Sequence, residues 1–371
     1  MSNRTSESLR VPSLDGWRGV AILLVLLDHA TEDAFTGSLH HALRLGATGV
    51  GIFFALSGFL ITTRLLAEAE HHGAISLKRF YVRRFFRLIP ACLAYLLCIA
   101  ALGVAGLIEV SSEQLLASLL FFRNYVSMDV LGPAWYTAHF WSLAVEEHFY
   151  LIWPAVLART GGRACLPALM ALCVAAWRHI DFKYHLISAG IWFAGRTDVR
   201  LDGLLWGCTL AILFARPDFR KWLSKLFSWR VFVLLVLLDV VSNMALRRHN
   251  YSSYEPLLLA LMVIWPLLNQ QSLLAGFLEL PALKWFGRLS YSLYVWQQLW
   301  LVFPHAPAVL GILQRAPVNL FCVLLSGCLS YYAIERPMIR LGHWLTTPAS
   351  SLENRSPLAF IRCITRRSCA S

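Results

Sequence analysis

Long apolar runs follow one another along almost the whole chain, and short segments containing Arg, Pro, Gly or Trp separate them. About 20 apolar residues in a helix cross the hydrocarbon of a bilayer and satisfy their own backbone hydrogen bonds. The pattern therefore predicts an all-α, polytopic membrane protein, a bundle of about ten transmembrane helices. The predicted spans are residues 17–35, 45–66, 88–108, 139–158, 163–179, 201–215, 229–246, 256–270, 286–304 and 317–334.

The positions of the basic residues predict the orientation of these spans, because cytoplasmic loops carry an excess of Lys and Arg. Five basic clusters occupy alternate loops only if residues 114–122 do not cross the membrane, and the apolar core of that segment is too short to span. Ten crossings then leave both termini in the cytoplasm. The clusters are Arg64 with Lys78, Arg79, Arg83, Arg84 and Arg87; Arg159 with Arg163; Arg216 with Arg220, Lys221, Lys225 and Arg230; Lys284 with Arg288; and Arg336 with Arg340.

The same pattern divides the chain into three parts. Residues 1–12 are a polar cytoplasmic N-terminus, residues 13–341 are a membrane-embedded domain, and residues 342–371 are a basic tail that we predict to be ill-ordered and cytoplasmic. No small-residue cleavage site follows the first apolar run, so we expect that run to stay as the first helix.

Composition supports a membrane protein and narrows its partners. Hydrophobic residues make up 58% of the chain and charged residues 15%, whereas a soluble domain carries about 25% charged residues. The net charge of +12 sits in the loops between apolar runs, which favours membrane lipids as partners over nucleic acid. The nine cysteines show no metal-ligand spacing, so we predict neither a zinc site nor a disulfide framework.

Arg18 and His29 are the first candidates for chemistry, because charged and polar groups inside spans are costly and often functional. Eleven residues return to almost the same helix face about 16 Å further along the axis. Arg18 would then lie near the inner surface and His29 deep in the membrane. A neutral imidazole is suited to taking a proton from a hydroxyl near neutral pH; the alternative is a structural histidine bonded to a neighbouring helix.

A second candidate group surrounds the start of two other spans. Arg84 and Arg87 share a helix face and would hold the phosphates of a nucleotide-bearing donor, or else serve only topology and lipid binding. Glu146 would orient or polarise His29 if their helices meet, whereas we expect its neighbour Glu147 to be solvated at the interface.

The remaining polar residues are divided between packing roles and an acceptor site. Arg200 and Asp202, two residues apart, are suited to a local ion pair, and Gly203 with Gly207 to close helix packing. Ser57 lacks the surroundings of an activated nucleophile, so packing is the favoured role for it, and Glu335 likewise looks structural. The residues expected to line the acceptor side are His139, Trp141, Arg200, Asp202, Tyr291, Tyr294 and Gln297.

Taken together, these segments resemble the bacterial acyltransferase type 3 family, integral-membrane acyltransferases that modify O-antigen, nodulation factors and some macrolides. The matching motifs run in family order over about nine-tenths of the chain. They are the Arg18/His29 spacing, Phe53–Leu60, Arg84 with Arg87, Trp141–Glu146, Arg200 with Asp202, Ser290–Tyr294, and Glu335 with Arg336 and Pro337. The chain departs from the family at Gln297, where many members have a histidine.

The resemblance implies an O-acyltransferase, most simply an O-acetyltransferase, in the bacterial inner membrane. His29 would be the essential acid/base group, with Glu146 beside it, and Arg18, Arg84 and Arg87 would receive acyl-CoA from the cytoplasm as donor substrate, with no bound cofactor. The histidine would either deprotonate the acceptor hydroxyl or carry the acyl group itself. The acceptor would be a cell-surface or exported glycan, or alternatively a glycosylated small molecule such as a macrolide. A transporter using the same helices is the competing class, with His29 and Glu146 as a proton relay.

Overall fold

The computed structural model describes residues 12–31, 45–126, 135–187, 193–245, 253–302 and 309–347. Helices account for most of these residues, and the described ranges contain no strand. The α-helices in chain order are α1 (Pro12–Thr31), α2 (Leu45–His72), α3 (Leu77–Val104), α4 (Ser112–Leu119), α5 (Trp135–Ala138), α6 (Phe140–Thr160), α7 (Cys165–Tyr184), α8 (Asp202–Phe214), α9 (Pro217–Leu226), α10 (Trp229–Ala245), α11 (Glu255–Leu268), α12 (Leu273–Leu278), α13 (Pro281–Trp300), α14 (Val318–Leu329) and α15 (Arg336–Leu345). Most of the predicted N-terminus and tail, residues 1–11 and 348–371, lies outside the described residues.

Within the described residues every predicted span overlaps a helix, but only four helices there are long and apolar enough to cross a membrane by length and composition. These are α2, α3, α7 and the continuous helix Val318–Leu345, in which a π-helical segment, Ser330–Glu335, joins α14 to α15. By contrast α8 and α11 have 13 and 14 residues, and at 1.5 Å per residue they reach about 20 Å, short of a bilayer core of about 30 Å. The all-α architecture is confirmed, and the count of about ten crossings stays a prediction.

The segment predicted not to cross forms a short helix of its own. Helix α4 has eight residues, and Ser111 caps its N-terminus in a capping box with Gln114. The two side chains satisfy backbone N–H groups reciprocally at the helix start. A helix of this length rises about 12 Å, so it is too short to span.

The outer faces of the bundle are apolar, as a lipid-facing surface requires. Helix α10 exposes Leu234, Leu237 and Val241, and α6 exposes Leu151 and Ile152, each with more than half of its surface free. Polar groups instead lie inside, where Arg123, Thr137 and Gln297 have no exposed surface. Soluble proteins place apolar side chains inside and polar ones outside, so the reverse arrangement indicates a membrane protein.

Glycines let the central helices approach closely enough to place the site. A Cβ added to Gly207 of α8 would lie 2.3 Å from the Ala55 carbonyl oxygen of α2, and one added to Gly287 of α13 would lie 1.9 Å from the Asp15 carbonyl oxygen of α1. Both distances are shorter than any van der Waals contact, so neither crossing tolerates a side chain. The predicted packing role of Gly207 is confirmed, and α1 is held between α2 and α13.

Candidate active site

A cavity of about 60 Å³ lies inside the bundle, between α1, α2, α3, α6 and α13. Three arginines face it from two helices, Arg18 on α1 with Arg84 and Arg87 on α3. Its other lining residues are Val50, Phe53, Phe54, Leu56, Ser57, Leu88, Ser142, Leu143, Glu146, Ser290, Tyr291 and Tyr294. The structure thus brings together the predicted donor arginines, Glu146 and two of the predicted tyrosines.

Arg84 is balanced by two carboxylates of α6. Its Nη2 lies 3.5 Å from Glu146 Oε2, and its Nε lies 3.4 Å from Glu147 Oε1. The guanidinium carbon also stands 3.4 Å from the centre of the Tyr150 ring, a geometry in which the ring face attracts the cation. The expectation that Glu147 is solvated is wrong, because only 17% of its side chain is exposed. It faces Arg84 inside the bundle, where a buried charge needs an opposite charge beside it.

Glu146 makes its other hydrogen bonds within the cavity wall. Its Oε2 accepts from the Tyr150 hydroxyl at 2.5 Å, and its Oε1 accepts from Ser57 Oγ at 3.2 Å. Its partners among the described residues are thus Ser57, Tyr150 and Arg84, and the role of Glu146 in orienting His29 stays a prediction. Ser57, expected only to pack, is a polar member of the cavity wall.

Arg18 and Arg87 differ in their hydrogen-bond partners. Arg18 donates to Ser290 Oγ at 3.0 Å and to the Gly287 carbonyl oxygen at 3.3 Å. Arg87 makes no hydrogen bond or ion pair with the described residues, and its electrostatic neighbours are three arginines and one carboxylate: Arg18, Arg64, Arg84 and Glu335. The predicted structural role of Glu335 is not tested, but it accepts a hydrogen bond from Ser292 at 2.7 Å in the buried interior.

His29 lies outside the cavity lining, eleven residues beyond Arg18 on α1. Its Nδ1 lies 3.0 Å from the Val25 carbonyl oxygen. A carbonyl only accepts, so in the neutral imidazole Nδ1 carries the proton and Nε2 keeps its lone pair. The ring meets Trp135 edge-on at 5.8 Å between centroids, and the side-chain amide of Gln297 lies beside it. Nε2 is therefore the atom that is able to accept a proton.

Hydrogen bonds hold the side chain of Tyr294 in place in the cavity wall. The Tyr294 hydroxyl lies 2.6 Å from Ser142 Oγ and donates to the His139 carbonyl oxygen at 3.2 Å. The His139 ring lies between two acceptors, with Nδ1 2.6 Å from Gln298 Oε1 and Nε2 3.0 Å from the Val295 carbonyl oxygen, and its single N–H in the neutral form donates to one of them. His139 therefore braces α6 against α13, and Tyr291 similarly donates to the Leu88 carbonyl oxygen of α3 at 2.8 Å.

The predicted ion pair between Arg200 and Asp202 does not form. Asp202 pairs with Arg178 of α7 at 2.8 Å, with 3% of the arginine and 1% of the aspartate side chain exposed. Arg200 instead places its guanidinium 5.6 Å from the centre of the Trp141 ring. Asp202 lies at the first turn of α8 and is buried there. The charge it meets is Arg178, which the sequence analysis did not single out because it stands at the polar end of the apolar run 163–179.

A second buried ion group stands between α7 and α8, beside this pair. Arg196 binds Asp181 at 2.6 Å and also pairs with Asp198. Burial by itself lowers the pKa of Arg196, but the two carboxylates outweigh it and the pKa is raised. Burial lowers the pKa of Arg123 to about 10, and the carboxylate of Glu113 partly opposes that change. Both arginines remain charged near neutral pH and tie loops to helices.

Comparison with known proteins identifies the family. Residues 11–336 match a family model described as an acyltransferase domain. Two relatives, both O-acetyltransferase OatA, from Staphylococcus aureus strains NCTC 8325 and COL, are 29% identical to the chain over 365 aligned residues. The match covers 90% of this chain and 58% of each relative, so the chain spans little more than half of their length. No solved structure matches. The chain belongs to this acyltransferase family.

Proposed function

Because the chain belongs to an acyltransferase family, we propose that it is a membrane-bound O-acetyltransferase that moves an acetyl group from acetyl-CoA to a hydroxyl of a cell-surface or exported glycan. One observation carries this proposal: a cavity bearing Arg18, Arg84 and Arg87 lies within the bundle on the Arg18 side of His29. Three guanidinium groups on one cavity wall suit a donor with a polyanionic head. The similarity to the O-acetyltransferase OatA relatives supports the O-acetyl chemistry.

The donor binds with its phosphates on the arginines. Arg87 has no ion-pair partner among the described residues, and Arg18 uses only neutral oxygens as partners. Guanidinium groups bind phosphate through two N–H groups at once, so both arginines retain capacity for an anion. The phosphates stay beside Arg18 and Arg87. The pantetheine arm runs from there past Tyr294 toward His29, which lies about 16 Å along α1 from Arg18.

The charge pattern orients this path. The arginines of the cavity continue the basic cluster at the start of α3, which also holds Lys78, Arg79 and Arg83. Cytoplasmic ends of spans carry such clusters, so the donor enters from the cytoplasm of a bacterial inner membrane and both termini lie on that side. His29 then lies closer to the outer face, where an exported glycan is presented.

His29 supplies the base. With Nδ1–H bonded to the Val25 carbonyl, Nε2 takes the proton of the acceptor hydroxyl as that oxygen attacks the thioester carbonyl carbon. The carbon–sulfur bond breaks, the thiolate of CoA leaves, and the imidazolium returns the proton to it. The alternative course, in which Nε2 attacks first and an acetyl-histidine then passes the group to the hydroxyl, uses the same atom.

The test is CoA release from acetyl-CoA by purified protein in the presence of extracted envelope glycans. His29→Ala should lower acceptor-dependent release by about 10²- to 10⁴-fold, the range of general acid–base catalysis. His72→Ala, at the exposed end of α2, is the matched control and should keep wild-type release. Equal release from wild type and His29→Ala would remove His29 from the mechanism. Release only with soluble glycosylated acceptors would move the acceptor class to a small molecule, and solute uptake without CoA release would support a transporter.

A further inference from the structure

Gln297 is a buried amide whose two polar atoms make no hydrogen bond of normal geometry among the described residues. Its side chain has no exposed surface. The next residue, Gln298, is the opposite case: its Oε1 accepts from the backbone N–H of His139 and lies 2.6 Å from the His139 ring. Two adjacent glutamines of α13 are therefore buried alike, and only one of them is satisfied.

An unsatisfied amide in an apolar interior is costly, because it has given up its hydrogen bonds to water and gained none in exchange. A leucine or methionine would fill the same space on α13 without that cost. Such a group in a bundle interior indicates a ligand that the amide is placed to meet.

The surroundings of Gln297 indicate which ligand that is. On α13 it lies three residues, about 4.5 Å of rise, beyond Tyr294, which lines the donor cavity. Its amide lies within reach of the His29 imidazole, although neither of its polar atoms makes a hydrogen bond of normal geometry to the described residues. A donor held at Arg18 and Arg87 and reacting at His29 thus brings its thioester carbonyl to the level of this amide.

We propose that Gln297 is a catalytic residue whose Nε2–H donates to the oxygen of the thioester carbonyl as that oxygen becomes negative. This inference rests on the proposed function. The acceptor oxygen forms a bond to the carbonyl carbon, its proton passes to His29 Nε2, and the carbonyl π pair moves onto the oxygen held by Gln297. When the pair returns, the carbon–sulfur bond breaks and the CoA thiolate takes the proton from His29. The amide binds the tetrahedral oxyanion more strongly than the ground-state carbonyl, which is the condition for a rate effect.

Two predictions separate this role from a structural one. Gln297→Met keeps the length of the side chain and removes the donor, so kcat should fall by about 10²- to 10³-fold, while KM for acetyl-CoA should change by less than about threefold because the donor phosphates bind elsewhere. The melting temperature should stay level or rise, since the variant removes an unsatisfied polar group and no hydrogen bond.

Gln314→Met is the matched control. Gln314 is as deeply buried, but its Nε2 donates to the Leu299 carbonyl oxygen at 2.8 Å and its Oε1 accepts from the Leu310 N–H at 3.1 Å. This variant should lower the melting temperature, and the remaining folded protein should keep wild-type kcat.

The experiment measures kcat, KM and melting temperature for wild type, Gln297→Met and Gln314→Met in the same detergent. A kcat of Gln297→Met within threefold of wild type would overturn the oxyanion role and leave the proposed function standing. A melting temperature lowered as far as in Gln314→Met would also overturn it, because Gln297 would then have structural partners. No acceptor-dependent release by wild type would overturn the proposed function and this inference together.

Discussion

Arg84 is paired with Glu146 and Glu147 in the cavity wall, and we expect it to exchange one of these carboxylates for a phosphate of the donor. The variant Glu147→Gln tests this exchange. If Arg84 binds a donor phosphate, it must give up at least one of its two carboxylate partners when acetyl-CoA enters. Removing the charge of Glu147 should therefore strengthen donor binding. A carboxylate that only positioned Arg84 for the phosphate would have the opposite effect, so the sign of the change decides between the two roles.

The size of the effect follows from the geometry. Two unit charges 3.4 Å apart interact by about 5 kcal/mol at an effective dielectric constant of 20. Only part of this is recovered, because Glu146 stays beside Arg84 and the glutamine oxygen still accepts a hydrogen bond. We expect a gain of about 1–2 kcal/mol, which lowers the Kd for acetyl-CoA by about 5- to 30-fold.

The assay is calorimetric titration of acetyl-CoA into detergent-purified protein, for wild type, Glu147→Gln and a control, Glu68→Gln. Glu68 pairs with Arg79 of the same helix α3 at 2.9 Å, and neither residue lines the cavity. The control should bind acetyl-CoA as wild type does. Unchanged or weaker binding by Glu147→Gln would refute the view that Arg84 exchanges a carboxylate for a phosphate.

Two further predictions concern the packing that holds the site. Arg178→Met leaves Asp202 charged and unpaired in the interior, so it should lower the free energy of unfolding by about 3–5 kcal/mol. Thermal unfolding of the double variant Arg178→Met/Asp202→Leu should show that part of this loss is recovered. Equal losses in the single and double variants would disprove the coupling between the two residues. Gly58→Ala should abolish folded protein on size-exclusion chromatography, since its Cβ would lie 1.9 Å from the Leu204 carbonyl oxygen. Gly276→Ala, where a Cβ meets nothing within 4 Å, should behave as wild type, and a well-folded Gly58→Ala protein would contradict the described crossing of α2 and α8.

Local patterns in the sequence were enough to predict the helices. Hydrophobic run length, proline and glycine positions and basic clusters all act between residues near in the chain, and within the described residues every predicted span overlaps a helix. Close packing at Gly207 was predictable for the same reason, because small residues at helical spacing mark a face. The family resemblance rests on motifs of this local kind, and the match over residues 11–336 confirms it.

Partners across the bundle were not predictable from such patterns. Glu146 meets Ser57 and Arg84 across sequence separations of 89 and 62 residues, and Asp202 meets Arg178 rather than its near neighbour Arg200. Which side chains meet depends on how each helix is rotated and which helix it crosses.

Gln297 shows most clearly what could not be predicted from the sequence. The sequence alone determined that a polar residue lies on α13 near the predicted site. Only the tertiary structure decided that its amide is fully buried and within reach of His29, with no hydrogen bond of normal geometry to the described residues, while Gln298 is satisfied. The physical reason is that satisfaction of a hydrogen-bonding group depends on atoms within about 3 Å, and in a packed bundle those atoms come from distant parts of the chain.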